Sequence, residues 1–209
     1  FDAVVVSTDS PEYADVARHY GAEVPLLRPA ELAGDASPDV EWVEHMIDAL
    51  QAAGRPFDAF SILRPTSPFR QPSTIQRAWA AFTADAGADS LRAVEPCRQH
   101  PGKMWIKRGN RLLPLLPFGP EDQPWHSSQY PSLPLVYVQN ASLEIAWTRT
   151  LRATRSIAGV DILPFLTEGF EGFDVNHPHD WDLAERIVSR GEARLPEVDA
   201  VPYDRPAIL

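Results

Sequence analysis

Short apolar runs alternate with amphipathic segments of helical spacing in the first half of the sequence, and this alternation constrains the fold most strongly. Apolar runs without polar alternation are typical of strands buried on both faces. The strand candidates are residues 3–6, 57–63 and 90–94. The helix candidates are residues 11–20, 38–50 and 72–82, each with a proline at its predicted start. Strands that alternate with helices predict an α/β fold with a parallel sheet.

A segment of different character, residues 104–135, opens the second half. Gly109 and Asn110 separate two apolar runs, which predicts a β-hairpin, and a proline-rich stretch follows. The remaining predicted elements are strands at residues 136–138, 143–146 and 162–166 and a helix at residues 179–189. We therefore expect one domain, residues 1–209, in which an α/β sandwich carries an inserted β segment at about residues 104–135.

Overall charge and cysteine content limit the partners and the compartment. The formal net charge of −10 argues against nucleic acid, because phosphate backbones are bound by basic surfaces. No run approaches the roughly 20 apolar residues that span a bilayer, so no membrane partner is expected. The single cysteine, Cys97, excludes an internal disulfide and favours a reducing compartment, so the expected location is cytoplasmic.

Polar residues follow the predicted strands, at the edge where open α/β sheets bind ligands. Ser7 and Asp9 follow the first strand and suit either helix capping or contact with a nucleotide. After the second strand, two prolines stiffen a loop that carries two hydroxyl and two guanidinium groups. We interpret this loop as an anion clamp, and the alternative is a stiff connection with solvated arginines. Its candidate residues are Arg64, Thr66, Ser67 and Arg70.

Later polar residues are further candidates for a ligand site, each with a structural alternative. Gln129, Tyr130 and Asn140 carry polar groups suited to sugar hydroxyls, and Lys103 follows the strand that ends at Val94. Asp174 and Asn176 alternate with apolar neighbours in residues 173–176, as in a strand, so both are expected to point to one face. Two oxygen ligands on one face suit magnesium. The alternative is that they cap the helix beginning near His179.

Several ordered motifs carry a resemblance that covers nearly the whole chain. They are Val-Val-Val-Ser-Thr-Asp-Ser at residues 4–10, Arg-Pro-Ala-Glu-Leu-Ala-Gly-Asp at 28–35, Arg-Pro-Thr-Ser-Pro-Phe-Arg at 64–70, His-Pro-Gly-Lys at 100–103, and segments 137–140 and 174–180. In this order they resemble the acylneuraminate cytidylyltransferase family, the CMP-sialic acid synthetases. The resemblance implies a three-layer Rossmann-like nucleotidyltransferase sandwich with a mainly parallel, mixed sheet and an inserted β dimerisation segment.

The resemblance also implies a reaction, in which CTP and a nine-carbon sugar acid of the sialic acid type give a CMP-sugar and pyrophosphate. Magnesium would be the cofactor, with Asp174 and Asn176 as its ligands and catalytic residues. The loop residues Arg70, Thr66 and Ser67 would help to build the pocket. The residues that would approach the sugar are Asn140, Gln129 and Lys103. The segment 104–135 would pair two copies in a homodimer.

The sequence departs from the family pattern in ways that leave alternatives open. Arg64 stands where glutamine is usual, and Asn176, a neutral and weaker ligand, stands where a second metal carboxylate is usual. Family members begin with a strand and a basic, glycine-containing loop that holds the triphosphate, and this sequence begins after it. We therefore expect the 209 residues alone to lack full activity. The alternatives are a non-catalytic sugar-nucleotide binding or dimerisation module, or a cytidylyltransferase for legionaminic, pseudaminic or ketodeoxyoctonic acid.

Overall fold

Five α-helices and six β-strands form within residues 1–204, the part of the chain that this computed structural model describes. The helices are α1 (Pro11–His19), α2 (Asp39–Ala52), α3 (Pro72–Ala84), α4 (Thr148–Thr154) and α5 (Pro178–Ser189). The strands are β1 (Ala59–Ile62), β2 (Ser90–Pro96), β3 (Trp105–Arg108), β4 (Arg111–Pro114), β5 (Tyr137–Trp147) and β6 (Ile162–Leu166). None of the helices in residues 1–204 is both long enough and apolar enough to cross a membrane.

Local signals set the helix boundaries, and the four predicted helices are confirmed to within two residues at each end. Pro72 and Pro178 occupy the first turns of α3 and α5, where a missing N–H costs nothing. Ser10 caps α1, because its Oγ accepts a hydrogen bond from the Tyr13 N–H at 3.3 Å. Gly21 follows this helix with a φ of +86°, a conformation that favours glycine. The short helix α4 was not predicted.

The main sheet has the strand order β1-β5-β2-β6. It is mixed, as expected, but the prediction of a mainly parallel sheet is not confirmed, because only β2 and β6 pair in parallel. The reason lies in β5, which joins the two short strands predicted at 136–138 and 143–146 into one strand. This long strand lies between β1 and β2 and runs antiparallel to both. The coarser prediction of a mixed α/β fold holds.

The first apolar run, residues 3–6, does not form a strand of this sheet, so that prediction was wrong. It makes a single parallel bridge between Val5 and Glu23. The Val6 N–H donates to the Glu23 carbonyl at 2.9 Å, and the Glu23 N–H donates to the Val4 carbonyl at 2.8 Å. Two backbone groups of this run are therefore paired with Glu23, and Val4 is 54% exposed.

A large bulge interrupts the pairing of β2 with β5. Arg92 on β2 pairs with Glu144 on β5, and Val94, two residues later, pairs with Gln139, five residues before Glu144. The extra residues of β5, which include Asn140, therefore lie outside the regular ladder. Bulges of this kind change the direction of side chains and are frequent beside functional sites.

Two apolar clusters hold the helices to the sheet. The first joins α3 to the sheet and contains Phe82, Leu91, Leu143, Ile145 and Phe165, each at most 7% exposed. The second joins α2, β1 and α4 and is centred on Val43, Ile62 and Leu151. Burial of these side chains contributes about 1.5–3 kcal/mol each.

The predicted hairpin is confirmed as β3 and β4, which form a separate two-stranded sheet. Gly109 has a φ of +58° in the connecting turn. The hairpin is exposed along almost its whole length, and its apolar side chains include Trp105 at 44% and Leu112 at 59% exposure. An isolated two-stranded hairpin is marginally stable in water, so this element needs a further packing surface.

Candidate functional site

A cleft of about 420 Å³ opens beside the bulge in β5. Its lining residues are Arg64, Glu95, Val138, Gln139, Asn140, Glu144, Asp174 and Asn176. The fold therefore brings together four of the residues predicted from sequence, namely Arg64, Asn140, Asp174 and Asn176. Three carboxylates and one guanidinium group line this cleft, which suits a ligand that carries hydroxyl groups or reaches the protein through a cation.

Arg64 stands at the end of β1 and makes ion pairs with two carboxylates. Its Nη2 donates to an Asp39 carboxylate oxygen, and it lies 3.3 Å from Glu144 Oε1. Burial raises the pKa of Asp39, but hydrogen bonds from Arg64 and Trp42 and the charges of Arg64 and Arg92 hold that pKa below its ordinary value. Asp39 is therefore a fixed negative partner for Arg64.

Behind Arg64, the Glu144 carboxylate pairs with Arg92 inside the sheet. The two residues are direct cross-strand partners on β5 and β2, and their side chains are 7% and 10% exposed. Burial lowers the pKa of Arg92, the Asp39 charge opposes that shift, and the Arg64 charge adds to it. Alternating positive and negative charges thus run from the sheet interior to the cleft.

The other members of the predicted anion clamp serve the loop itself. Arg70 donates from Nη1 and Nη2 to the Arg64 carbonyl, at 3.2 and 3.1 Å, and from Nη1 to the Ser142 carbonyl. Burial lowers the pKa of this guanidinium. Ser67 is 5% exposed and its buried Oγ has no partner among residues 1–204. The Thr66 carbonyl accepts the Val175 N–H at 2.9 Å, which ties this loop to the segment that carries Asp174.

Asn140 is fixed by three hydrogen bonds at the bulge. Its Nδ2 donates to Thr167 Oγ1 at 2.9 Å and to Glu95 Oε2 at 3.3 Å, while its Oδ1 accepts the Ser142 N–H at 3.2 Å. Gly172 closes over this group, because a Cβ at that position would overlap both the Asn140 amide and the Glu95 carboxylate. The amide and the carboxylate are therefore held in fixed positions on the cleft wall.

Asp174 and Asn176 lie on the cleft side of an irregular segment rather than in a strand, so the predicted strand at 173–176 was wrong. A strand needs a ladder of backbone hydrogen bonds to a neighbour. Between this segment and the loop at 64–70, the described residues form one such bond, from the Val175 N–H to the Thr66 carbonyl. Phe173 packs against Phe69 on the opposite side, with ring centroids 5.4 Å apart. The predicted division of the segment into a polar and an apolar face is therefore found without a strand.

The oxygens of Asp174 differ in their surroundings. Asn176 Nδ2 donates to Asp174 Oδ2 at 2.7 Å, whereas Asp174 Oδ1 is buried and has no partner among residues 1–204. The alternative that these residues cap α5 is wrong, because His177 is the N-cap and Asp180 Oδ2 accepts the Asn176 and His177 N–H groups at 3.0 and 2.8 Å. An unpartnered buried carboxylate oxygen is a suitable ligand for a hard cation. Within residues 1–204, no group of three or more His, Cys, Asp or Glu side chains is placed to hold a metal ion.

Ser7 and Asp9 lie apart from the cleft lining. Arg28 donates from Nε to Ser7 Oγ at 3.0 Å and from Nη2 to the Ser7 carbonyl at 2.7 Å. The Arg28 guanidinium also lies over the Trp42 ring, 4.8 Å from its centroid. Asp9 is exposed, and its charge partly opposes the lowering of the Arg28 pKa by burial. The end of the first apolar run is thus fixed by Arg28, which was not among the predicted site residues.

Lys103, Gln129 and Tyr130 form a separate group beside the hairpin. The Lys103 ammonium lies 5.4 Å from the Tyr130 ring centroid and 3.5 Å from the His126 carbonyl. Gln129 is exposed, and its carbonyl accepts the Ser132 N–H at 3.0 Å. These three predicted sugar contacts do not line the cleft in this chain.

Sequence reasoning missed Glu95, Glu144 and Arg92. A signal for the last two was present, since each is a charged residue inside an apolar run: Arg92 follows Leu91, and Glu144 follows Leu143. Charged residues are almost never fully buried unless they are paired. Two opposite charges in two predicted buried strands therefore indicate an ion pair within the sheet.

Comparisons with known proteins place this cleft in context. No protein-family model matches the chain. Over 199 residues the chain is 32% identical to CMP-N,N'-diacetyllegionaminic acid synthase of Legionella pneumophila, and the match covers 93% of this chain and 81% of that enzyme. A 75-residue match at 40% identity covers 36% of this chain and 17% of the N-acylneuraminate cytidylyltransferase of Escherichia coli.

Among solved structures, CMP-2-keto-3-deoxy-manno-octonic acid synthetase in complex with CTP is similar in fold. Its TM-score is 0.54 at 10% sequence identity, over 90% of this chain and 81% of that one. At this identity the likeness shows the fold alone. The longer sequence match extends over most of both proteins. The chain therefore belongs to the acylneuraminate cytidylyltransferase family.

Proposed function

We propose that this protein transfers the cytidylyl group of CTP to a nonulosonic acid, a nine-carbon sugar acid of the sialic acid type. The products are a CMP-sugar and pyrophosphate. The observation that carries the proposal is the match over 93% of the chain to a CMP-N,N'-diacetyllegionaminic acid synthase, together with a cleft lined by Asp174, Asn140 and Arg64. The proposed location is cytoplasmic, as the single cysteine suggests.

In this reaction the anomeric hydroxyl of the sugar attacks the α-phosphate of CTP, and the bond to pyrophosphate breaks. Asp174 and Asn176 would hold a magnesium ion, whose charge would stabilise the negative charge that develops at the α-phosphate. The buried, unpartnered Asp174 Oδ1 supports this assignment. Asn176 would contribute its amide oxygen, a neutral ligand, after rotation of an amide that now donates to Asp174.

The remaining site residues have supporting roles in the proposal. Asn140 Oδ1, which accepts the Ser142 N–H, would accept a second hydrogen bond from a sugar hydroxyl at the bulge. Arg70, Thr66 and Ser67 hold the loop that forms one wall. Five further residues do not line the cleft of one chain and are proposed to contact the nucleotide or the sugar. They are Ser7, Asp9, Lys103, Gln129 and Tyr130.

A homodimer is part of the proposal and rests on the hairpin. Trp105, Ile106, Leu112 and Leu113 are between 42% and 59% exposed, so the hairpin presents apolar side chains that a second copy would cover. Light scattering after size exclusion is expected to give a mass near twice the 23.2 kDa of one chain. A monomer at micromolar concentration would contradict this part of the proposal.

The finer description of the fold is also proposed, as a three-layer Rossmann-like nucleotidyltransferase sandwich. Two observations support it. The first is the likeness in fold to the CTP-bound synthetase. The second is that one apolar cluster joins α3 to the sheet and another joins α2 and α4 to it.

The test is pyrophosphate release by this protein. The substrates are CTP, magnesium and a panel of sialic, legionaminic, pseudaminic and ketodeoxyoctonic acids. We expect release that depends on one of the nine-carbon acids and falls about 10²-fold or more in Asp174→Asn, while the matched surface variant Asp182→Asn keeps its rate. CMP binding without turnover would favour the non-catalytic binding module instead.

A further inference from the structure

The charge of the cleft raises the question of how an acidic sugar binds there. Glu95, Glu144 and Asp174 line it and repel a second carboxylate. Among the described residues that line the cleft, Arg64 is the single cation. Within the cleft lining of one chain, Arg64 is therefore the side chain that can pair with the carboxylate group of a sugar acid.

Arg64 is presented in a way that suits this task. Both of its ion pairs use Nη2, with Asp39 and with Glu144 Oε1. Its Nε and Nη1 donate to no protein acceptor within residues 1–204, and its side chain is 36% exposed. The guanidinium is thus fixed by two carboxylates while several of its N–H groups remain available to a ligand.

The buried Arg92 preserves the attraction of Arg64 for an anion. Arg92 pairs with Glu144 from the sheet side, so the negative charge of Glu144 is shared between two arginines. The set Asp39, Arg64, Glu144 and Arg92 is neutral in total, and Arg64 is its positive member at the cleft. Arginine suits such a site better than lysine, because its planar group forms two parallel hydrogen bonds to a carboxylate.

We propose that Arg64 binds the carboxylate of the sugar acid and that Asp39 is a positioning residue that fixes the guanidinium for it. This inference rests on the proposed function and names the group by which the substrate class is recognised. A phosphate group of CTP has similar chemistry, and the experiment separates the two sources.

The first measurement is calorimetric titration of the full protein with N-acetylneuraminic acid and N,N'-diacetyllegionaminic acid, and with the methyl ester of each. The ester keeps the sugar but removes the negative charge. We expect the wild type to prefer one acid over its ester by about 10- to 100-fold and Arg64→Gln to lose that preference. Arg64→Lys is expected to keep part of it, since it retains the charge without the planar pair of donors.

The matched control is Arg152→Gln. Arg152 has a similar side-chain exposure, 35% against 36% for Arg64, and it also pairs with two carboxylates, those of Glu44 and Asp48. This variant is expected to keep the wild-type preference. Asp39→Asn is expected to weaken binding of the acid in the wild type but to have no further effect in Arg64→Gln, as a positioning residue should.

Steady-state kinetics then separate carboxylate from phosphate. In Arg64→Gln the KM for the sugar acid is expected to rise by about 10- to 100-fold while the KM for CTP changes less than about threefold. An unchanged preference for acid over ester, failure of the folded wild type to bind either acid, or a rise confined to the KM for CTP would each overturn the inference. Binding of the acid through Arg64 without pyrophosphate release would refute the proposed function and leave this inference standing.

Discussion

Replacing Glu144 by glutamine is expected to lower the free energy of unfolding by about 3 kcal/mol. The Glu144 and Arg92 side chains are 7% and 10% exposed, so the substitution leaves a guanidinium buried without its direct partner. Removal of one member of a buried pair costs about 3–5 kcal/mol. The lower end applies here, because the charge of Asp39 still acts on Arg92 and the glutamine carbonyl can accept one hydrogen bond.

Urea unfolding followed by circular dichroism measures this loss, and thermal unfolding gives an independent value. For a chain of this length, about 1 kcal/mol corresponds to a shift of about 2–4 °C in Tm, so a decrease of about 6–12 °C is expected. The matched control is Glu168→Gln. Glu168 pairs with Arg77 at 3.0 Å, but its side chain is 79% exposed, so its removal is expected to cost less than about 1 kcal/mol.

The double variant Arg92→Met/Glu144→Gln distinguishes a buried charge from simple loss of packing. Since it removes both charges, it is expected to recover most of the stability that Glu144→Gln loses. Two results would refute the reasoning. The first is a decrease in the free energy of unfolding of Glu144→Gln as small as that of the Glu168 control. The second is a double variant that is less stable than Glu144→Gln by about 2 kcal/mol.

Three further predictions concern packing, backbone space and pH. Phe82→Ala is expected to cost about 3–5 kcal/mol in urea unfolding, since Phe82 is fully buried in the main cluster. Gly172→Ala is expected to cost about 1–3 kcal/mol, because its Cβ would overlap Asn140, whereas Gly34→Ala, whose Cβ would meet only Ser37 Oγ at 3.4 Å, serves as the control. Backbone N–H groups hold the pKa of Asp180 below its ordinary value of 3.8, so its stabilisation is present above that pH and is lost as the pH falls below it. Thermal melts should therefore show that the deficit of Asp180→Asn is constant near neutral pH and shrinks below about pH 4.

Helices and the hairpin could be predicted because their signals are local. Proline at the first turn and glycine with positive φ act within a few residues, as at Pro72 and Gly109. The single strand β5 could not be predicted, because the polar residues Gln139 and Asn140 between its two apolar runs look like a loop. They belong to a bulge, which depends on the pairing with β2 and leaves no local trace.

For the candidate site, the polar residues that directly follow apolar runs were informative, and Arg64 and Asn140 both line the cleft. Arg70 shows the limit of that reasoning. Its charge and position suit an anion clamp, yet its guanidinium donates to two backbone carbonyls and supports the loop. Whether an arginine faces a ligand or its own backbone depends on tertiary contacts that spacing along the chain does not encode.

The charged residues inside the sheet connect stability to function in this chain. An apolar pair in place of Arg92 and Glu144 would be as stable or more stable, because burial of two charges costs several kcal/mol each. The pair does, however, place a carboxylate against Arg64 while supplying the positive charge that compensates it. Arg64 consequently faces the cleft with free donors beside Asp174, whose unpartnered oxygen lines the same space. The double variant Arg92→Met/Glu144→Gln should therefore regain stability and still bind the sugar acid more weakly than the wild type, since the negative charge that holds Arg64 from the Glu144 side would be gone.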